Sequence, residues 1–206
     1  IKNQAKGLTV NDVVLGICSG ALRRYLLEKE ALPEKSLISM SPISVRSQAE
    51  KYQMGNKLSA MLVALETQEE NPIERLKLIH KSAKTSKMYA KGTNATKLME
   101  FVPSELAALA ARLYTQIDLA DKIDPAFNLV ITNVPGPPVP LYMNGSKVIR
   151  HFGMAPVIDG LGLLIVVFSY AGNITFSVTA CREIMPDLAK FIGYLQESME
   201  ELLPSE

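Results

Sequence analysis

The side chains best suited to chemistry in this chain are few and scattered. It has two histidines, His80 and His151, and two cysteines, Cys18 and Cys181. A general base needs an orienting partner, and a zinc site needs several nitrogen or sulfur ligands at close spacing. His80 follows Ile79 on a predicted helix with no carboxylate or cysteine at ligand spacing, so a half-exposed surface histidine is expected. His151 follows Arg150 on a predicted strand and reads as structural. Asp118, Asp121 and Asp124 share a polar connection, but no glycine or closing glutamate completes a calcium loop. No Gly-x-Ser-x-Gly elbow, dinucleotide fingerprint or P-loop occurs. The chain holds no self-sufficient catalytic set, and an enzymatic role requires residues from elsewhere.

The remaining signals are polar side chains at the ends of elements. Asn11 and Asp12 follow Thr9, and helix-start chemistry accounts for them without any ligand. Arg46 closes an apolar strand, where a guanidinium can anchor an internal carboxylate or a ligand phosphate. Asn133 ends the run Phe127 to Thr132 and precedes Pro135, Gly136, Pro137, Pro138 and Pro140. Proline fixes φ and removes a donor, so the strand is expected to break at Asn133 and a stiff loop to follow. That loop reads either as a structural crossover or as one wall of a binding site.

The elements that must position these residues follow from periodicity. Thr9 and Asp12 cap a helix whose apolar stripe includes Val10, Val14, Ile17, Leu22 and Tyr25, with Arg23, Arg24, Glu28 and Lys29 facing water. Leu37 to Arg46 alternates as a half-buried strand, with Pro42 marking an edge, a bulge or a strand end. Ser47 to Tyr52 reads as a loop, Gly55-Asn56 as a turn, and Lys57 to Leu65 as a second strand, with a helix as the alternative. Asn71-Pro72 opens a helix toward Tyr89, and Lys97 to Ala120 has helical composition interrupted at Pro103. Asn144-Gly145 is a turn before a strand over Lys147 to Phe152. Leu161 to Tyr170 and Ile174 to Ala180 form a hairpin, and Pro186-Asp187 opens the last helix. Strict βαβ alternation is missing, so the fold class is α/β with a mixed, mainly antiparallel sheet and helices packed on it.

Composition narrows the function further. Basic and acidic residues number 22 and 21, a net charge of +1, which removes the electrostatic case for nucleic acid as main partner. Lys2 and Lys6, and the spread Lys77, Lys81, Lys84, Lys87, Lys91 and Lys97, are able to meet phosphates, but solvated helix surface is the better reading of them. The cysteines sit in apolar surroundings and read as reduced core thiols. The longest apolar run, Leu161 to Phe168, is far short of the roughly 18 residues of a spanning helix, so an intracellular protein with at most peripheral membrane contact is expected. The chain begins at Ile1 rather than methionine and is expected to be a piece of a longer protein.

Several segments occur in an order that resembles a known family. They are Thr9-Val-Asn-Asp-Val-Val14, Pro42 to Arg46, Gly55-Asn56, Thr132-Asn-Val-Pro-Gly-Pro137, Pro140-Leu-Tyr-Met-Asn-Gly145 and Gly160 to Leu163. Together they resemble the C-terminal half of the bacterial wax ester synthase/acyl-CoA:diacylglycerol acyltransferase family, of the CoA-dependent acyltransferase superfamily. The resemblance implies a chloramphenicol-acetyltransferase-like fold, with residues 1–206 forming the C-terminal acyltransferase domain. It implies that the His-His-x-x-x-Asp-Gly base motif lies on an N-terminal half absent from this chain, which alone is expected to be inactive. It implies no permanently bound cofactor, acyl-CoA as co-substrate, and a long-chain alcohol or diacylglycerol as acceptor. Asn11, Asp12, Asn133, Pro135, Gly136 and Pro137 fall in motifs of that family, Asn133 in a supporting role. Arg46, Leu141, Tyr142, Met143 and Ser146 are further expected substrate contacts. The location implied is cytoplasmic, peripheral to the inner membrane or to lipid inclusions. Alternatives are a condensation domain or plant-type alcohol acyltransferase on the same fold, or a non-catalytic module binding lipid or a protein partner.

Overall fold

The computed structural model describes residues 1, 7–44, 58–92 and 125–204. Arg46, the expected loop and turn over 47–56 and the expected helical stretch from Lys97 to Ala120 lie outside the described residues. Helix α1 (Val10–Glu28) begins where Thr9 caps it: the Thr9 hydroxyl accepts from the Asp12 N–H, and the Asp12 carboxylate accepts from the Thr9 N–H. That reciprocal box satisfies two donors left open by the first turn. Strands β1 (Ile38–Ser44) and β2 (Leu58–Ala64) precede α2 (Pro72–Gly92), whose start is capped by the Asn71 side chain. Then follow β3 (Leu129–Pro135), the short pair β4 (Tyr142–Met143) and β5 (Ser146–Lys147), β6 (Leu163–Tyr170), β7 (Asn173–Ala180) and α3 (Leu188–Glu201).

The main sheet runs β2-β1-β3-β6-β7. Its margins, β1–β2 and β6–β7, are antiparallel, while β1–β3 and β3–β6 are parallel. The sheet is therefore mixed, with a larger parallel share than the hairpin signal suggested. Ala171 and Gly172, both at positive φ (46° and 84°), make the tight β6–β7 turn. One face of the sheet carries the core: Met61, Val63, Leu129, Ile131, Ile165 and Val167 meet Leu15, Leu22, Leu76, Ile79, Phe191 and Leu195 of the helices. Each such side chain fully removed from water is worth about 1.5–3 kcal/mol. Cys18 lies inside this core, and burial pushes its thiol pKa far up, so it stays protonated and inert.

The structure corrects four expectations. Glu28 and Lys29 are exposed as expected and Arg23 and Arg24 half-buried, but all four are also engaged. Arg23 donates to the Thr67 and Gln68 carbonyls, Arg24 pairs with Glu197 and Glu201, and Glu28 with Lys190. Lys29 and the Tyr25 hydroxyl both bond Asp187, so these side chains fasten α1 to α3. The expected strand from Lys147 to Phe152 reduces to Ser146–Lys147, because the chain beyond has no ladder partner among the described residues. The other two corrections concern prolines. Strand β3 runs through Asn133 to Pro135, and Pro42 sits within an internal strand.

Both prolines are tolerated for one reason. β1 pairs with β3 only at Ser39↔Leu129 and Met40↔Val130, and beyond that the two strands part. The Leu65 N–H bonds the Leu37 carbonyl, so odd positions of β1 turn their backbone toward β2 and Pro42 toward β3. The Gly136 N–H bonds the Ser169 carbonyl, so Pro135 turns the other way, toward β1. Each missing donor therefore faces the gap, where there is no ladder bond to lose. Two prolines flank a split in the sheet.

Candidate functional site

The split opens a cleft of about 890 Å³ on the helical face of the sheet, at the carboxyl ends of the parallel strands β1, β3 and β6. Crevices at strand carboxyl ends are the usual ligand position in sheets with parallel strands. Its floor is Ser41, Pro42 and Ile43 of β1, Met61 of β2, Asn133 and Pro135 of β3, and Ile174 of β7. The start of α1 (Thr9 to Asp12) and one stripe of α2 (His80, Ala83, Lys84, Lys87) form the opposing side. Gly136, Pro137 and Pro138 with the β6–β7 turn close one end.

Three features give the cleft its character. The first is an Asp–His pair. Asp12 is 3% exposed, and its Oδ2 accepts from the Thr9 N–H at 2.7 Å, the Thr9 hydroxyl at 2.8 Å and His80 Nδ1 at 2.9 Å. A carboxylate can only accept, so His80 Nδ1 carries a proton in this pair. The pair ties α2 to the N-terminus of α1 and consumes the carboxylate that borders the cleft. The second feature is Ser41, 4% exposed, whose Oγ has no hydrogen-bond partner among the described residues. A buried hydroxyl left open costs about 1–3 kcal/mol, and this one stands in the wall of a cavity able to supply a partner.

The third feature is the rigid end wall. Gly136 donates to the Ser169 carbonyl at 2.9 Å and lies 3.3 Å from the Ser169 hydroxyl, and the Ala171 N–H reaches the Pro137 carbonyl at 3.0 Å. A Cβ at Gly136 would stand 2.2 Å from the Ser169 carbonyl oxygen, so only glycine permits this approach. The Tyr170 hydroxyl accepts from the Leu141 N–H at 2.7 Å and donates to the Val148 carbonyl at 2.9 Å, gripping both ends of the β4–β5 hairpin. The proline passage is thus bolted to β6 and its turn.

Of the residues singled out in the sequence, the structure brings Asn11, Asp12, Asn133, Pro135, Gly136 and Pro137 to this one cleft. It does not bring Leu141, Tyr142, Met143 or Ser146, which lie exposed on or beside the separate β4–β5 hairpin. His151 packs against Phe168 and Tyr170, at 6.1 and 4.6 Å between ring centroids. Sequence reasoning missed Ser41, read His80 as a surface histidine, and named Lys84 and Lys87 as able to meet phosphates or as solvated surface without placing them in a cleft. For the last three, the spacing of four and then three around Ala83 marks a single helical stripe and was a usable signal. Among the described residues no cluster of His, Cys, Asp and Glu could hold a metal ion.

Known proteins resemble this chain along nearly its whole length. A family profile described as WS/DGAT C-terminal domain matches residues 54–203. The chain is 35% identical over 205 residues to a putative diacylglycerol O-acyltransferase of Mycobacterium bovis, covering 97% of this chain and 43% of that protein. It is 36% identical over 201 residues to the O-acyltransferase WSD of Acinetobacter baylyi, again covering 97% and 43%. Among solved structures, the wax ester synthase/diacylglycerol acyltransferase of Marinobacter aquaeolei superposes with a TM-score of 0.75 at 32% identity, over 95% of this chain and 43% of that one. A starter condensation domain of rhizomide synthetase superposes at 0.57 with 14% identity, over 93% and 41%, a likeness of fold alone. The chain therefore spans less than half the length of the relatives it matches.

Proposed function

The chain belongs to the wax ester synthase/diacylglycerol acyltransferase family through its C-terminal domain, and on that premise we propose that it is the second half of an O-acyltransferase. The enzyme moves a fatty acyl group from acyl-CoA to a long-chain alcohol or to diacylglycerol. One observation carries this reading. Two segments far apart in sequence, Asn11-Asp12 and Asn133 to Pro137, meet across a single cleft at the split between β1 and β3.

The chemistry is direct transfer. A histidine on the other half takes the proton of the acceptor hydroxyl, and that oxygen attacks the thioester carbonyl carbon. The carbon–sulfur bond then breaks, and CoA leaves as the thiol after recovering the proton. This half supplies walls and dipoles rather than the base. The Asn133 side chain stands at the open end of the β1–β3 gap, where its amide can donate to the thioester oxygen as charge builds on it. The buried, unpaired Ser41 hydroxyl offers a second hydrogen bond to bound substrate. No described helix is long and apolar enough to cross a membrane; a cytoplasmic enzyme peripheral to the inner membrane or lipid inclusions fits that finding.

The test is transfer of radiolabel from palmitoyl-CoA to hexadecanol and to diacylglycerol by the intact enzyme, with and without Asn133→Ala. Labelled ester from the parent, and a loss in kcat of about 100-fold or more in the variant, is expected. Unchanged rate and acceptor preference in Asn133→Ala would remove Asn133 from the mechanism.

A further inference from the structure

The charged groups bordering the cleft are unevenly used. Asp12 is engaged by Thr9 and His80. Lys84 and Lys87 line the same cleft, and neither has a hydrogen bond or ion pair among the described residues. Lys77, on the same helix, pairs with Glu74 at 2.7 Å, and Lys81 borders a separate, shallower depression with Glu66. The sequence spreads lysines along α2; among the described residues Lys84 and Lys87 are the ones that line this largely apolar cavity, without a hydrogen bond or ion pair. Across from them the cleft is built from Pro42, Ile43, Met61, Pro135, Pro137 and Ile174. Such a cavity suits a molecule with an apolar body and a polyanionic end.

We propose that Lys84 and Lys87 form the subsite for the phosphate groups of the acyl carrier, with the acyl chain directed inward along the β1–β3 split. This rests on the acyl-CoA reading above and adds the orientation of the donor in the cleft. The lysines sit one turn apart on α2, so two neighbouring phosphates can each take an ammonium group. Asp12, the carboxylate in the same lining, is held toward Thr9 and His80 by its hydrogen bonds and pairs with neither lysine among the described residues.

The experiment compares palmitoyl-CoA with palmitoyl-pantetheine, which carries the same thioester without phosphates, as donors for the intact enzyme. The preference for CoA, taken as the ratio of kcat/KM values, is expected to fall about 10- to 100-fold in Lys84→Ala/Lys87→Ala. Most of it should return in Lys84→Arg/Lys87→Arg, which a merely structural role would not require. Lys77→Ala/Lys81→Ala, outside the cleft, leaves the ratio unchanged. A ratio within twofold of the parent in the Lys84/Lys87 alanine variant overturns the proposal. So does loss of binding to phosphatidylglycerol vesicles with the CoA preference intact, since the phosphates would then belong to a lipid surface. If the parent uses neither donor, the transferase reading fails. Calorimetry with CoA alone then decides the subsite: binding lost in the alanine variant upholds it, and equal binding refutes it.

Discussion

Gly136→Ala is the sharpest single perturbation of the cleft wall. A methyl carbon there would lie 2.2 Å from the Ser169 carbonyl oxygen, against 3.4 Å for the near edge of ordinary contact. The loop and β6 must separate by about 1.2 Å to relieve this, because the obstructing atom is backbone and has no rotamer to change. A 2.9 Å hydrogen bond stretched by that amount no longer counts as one, and the neighbouring Ala171-to-Pro137 bond is strained with it. Two bonds at about 0.5–1.5 kcal/mol each put the loss at about 1–3 kcal/mol. Hydrogen exchange on the intact enzyme reads this locally. Amides at Gly136 and Ala171 are expected to exchange about 5- to 150-fold faster, while amides in α3 keep their protection. Acyl transfer should fall with them, since the wall carrying Asn133 moves. Unchanged protection at both amides would refute the claim that the proline passage is held by β6.

Three further outcomes follow from the same contacts. Asp12→Ala strips the acceptor from the Thr9 N–H, the Thr9 hydroxyl and His80, and should cost about 2–4 kcal/mol in denaturant unfolding, with Asp12→Asn recovering part; parent-like stability in Asp12→Ala would contradict the cap assignment. Ser41→Ala removes an unpaired buried hydroxyl, so stability should hold or rise by up to about 1 kcal/mol while kcat/KM drops; lost stability with unchanged kinetics would assign Ser41 to packing alone. The α1–α3 clasp sets a pH window. Hydrogen bonds from Lys29 and Tyr25 hold the Asp187 pKa at about 2, below its ordinary 3.8, so its contribution is complete above about pH 4 and is lost as pH falls toward 2. Burial, with Asp187 alongside, pushes the Tyr25 pKa from 10.0 to about 12, so its share is complete below about pH 10 and is lost as pH rises toward 12. Unfolding midpoints across that range should droop at both limits and flatten at the acid limit in Asp187→Asn, while most of the alkaline droop, set first by burial of Tyr25, remains; an unchanged acid limit would refute the linkage.

Local signals in the sequence carried much of this architecture. Thr9 and Asp12 sit at capping-box spacing, Asn71-Pro72 opens α2, and alternating residues around Ala171-Gly172 mark the β6–β7 hairpin; all three are contacts within a few residues. What was illegible is non-local. Nothing near Leu129 announces that β3 lies between β1 and β6, because parallel neighbours are joined by long crossovers and share no turn. Pro42 read as an edge, a bulge or a strand end and Pro135 as a strand breaker for the same reason: a proline is harmless where its missing donor faces a gap, and the gap is a property of three strands together. His80 looked partnerless because Asp12 lies 68 residues away. The motif residues at Asn11, Asp12 and Asn133 to Pro137 were visible as chemistry, whereas their meeting in one cleft was not.

The central claim is that this cleft receives the acyl donor. Photolabelling of the intact enzyme with an acyl-CoA carrying a diazirine along its chain, followed by mass mapping of the adducts, tests it most directly. Adducts are expected on Ile43, Met61, Ile174 and the Asn133 to Pro138 peptide, and excess unlabelled acyl-CoA should suppress them. Suppressible labelling confined to other surfaces, with these cleft peptides clean, would contradict the assignment.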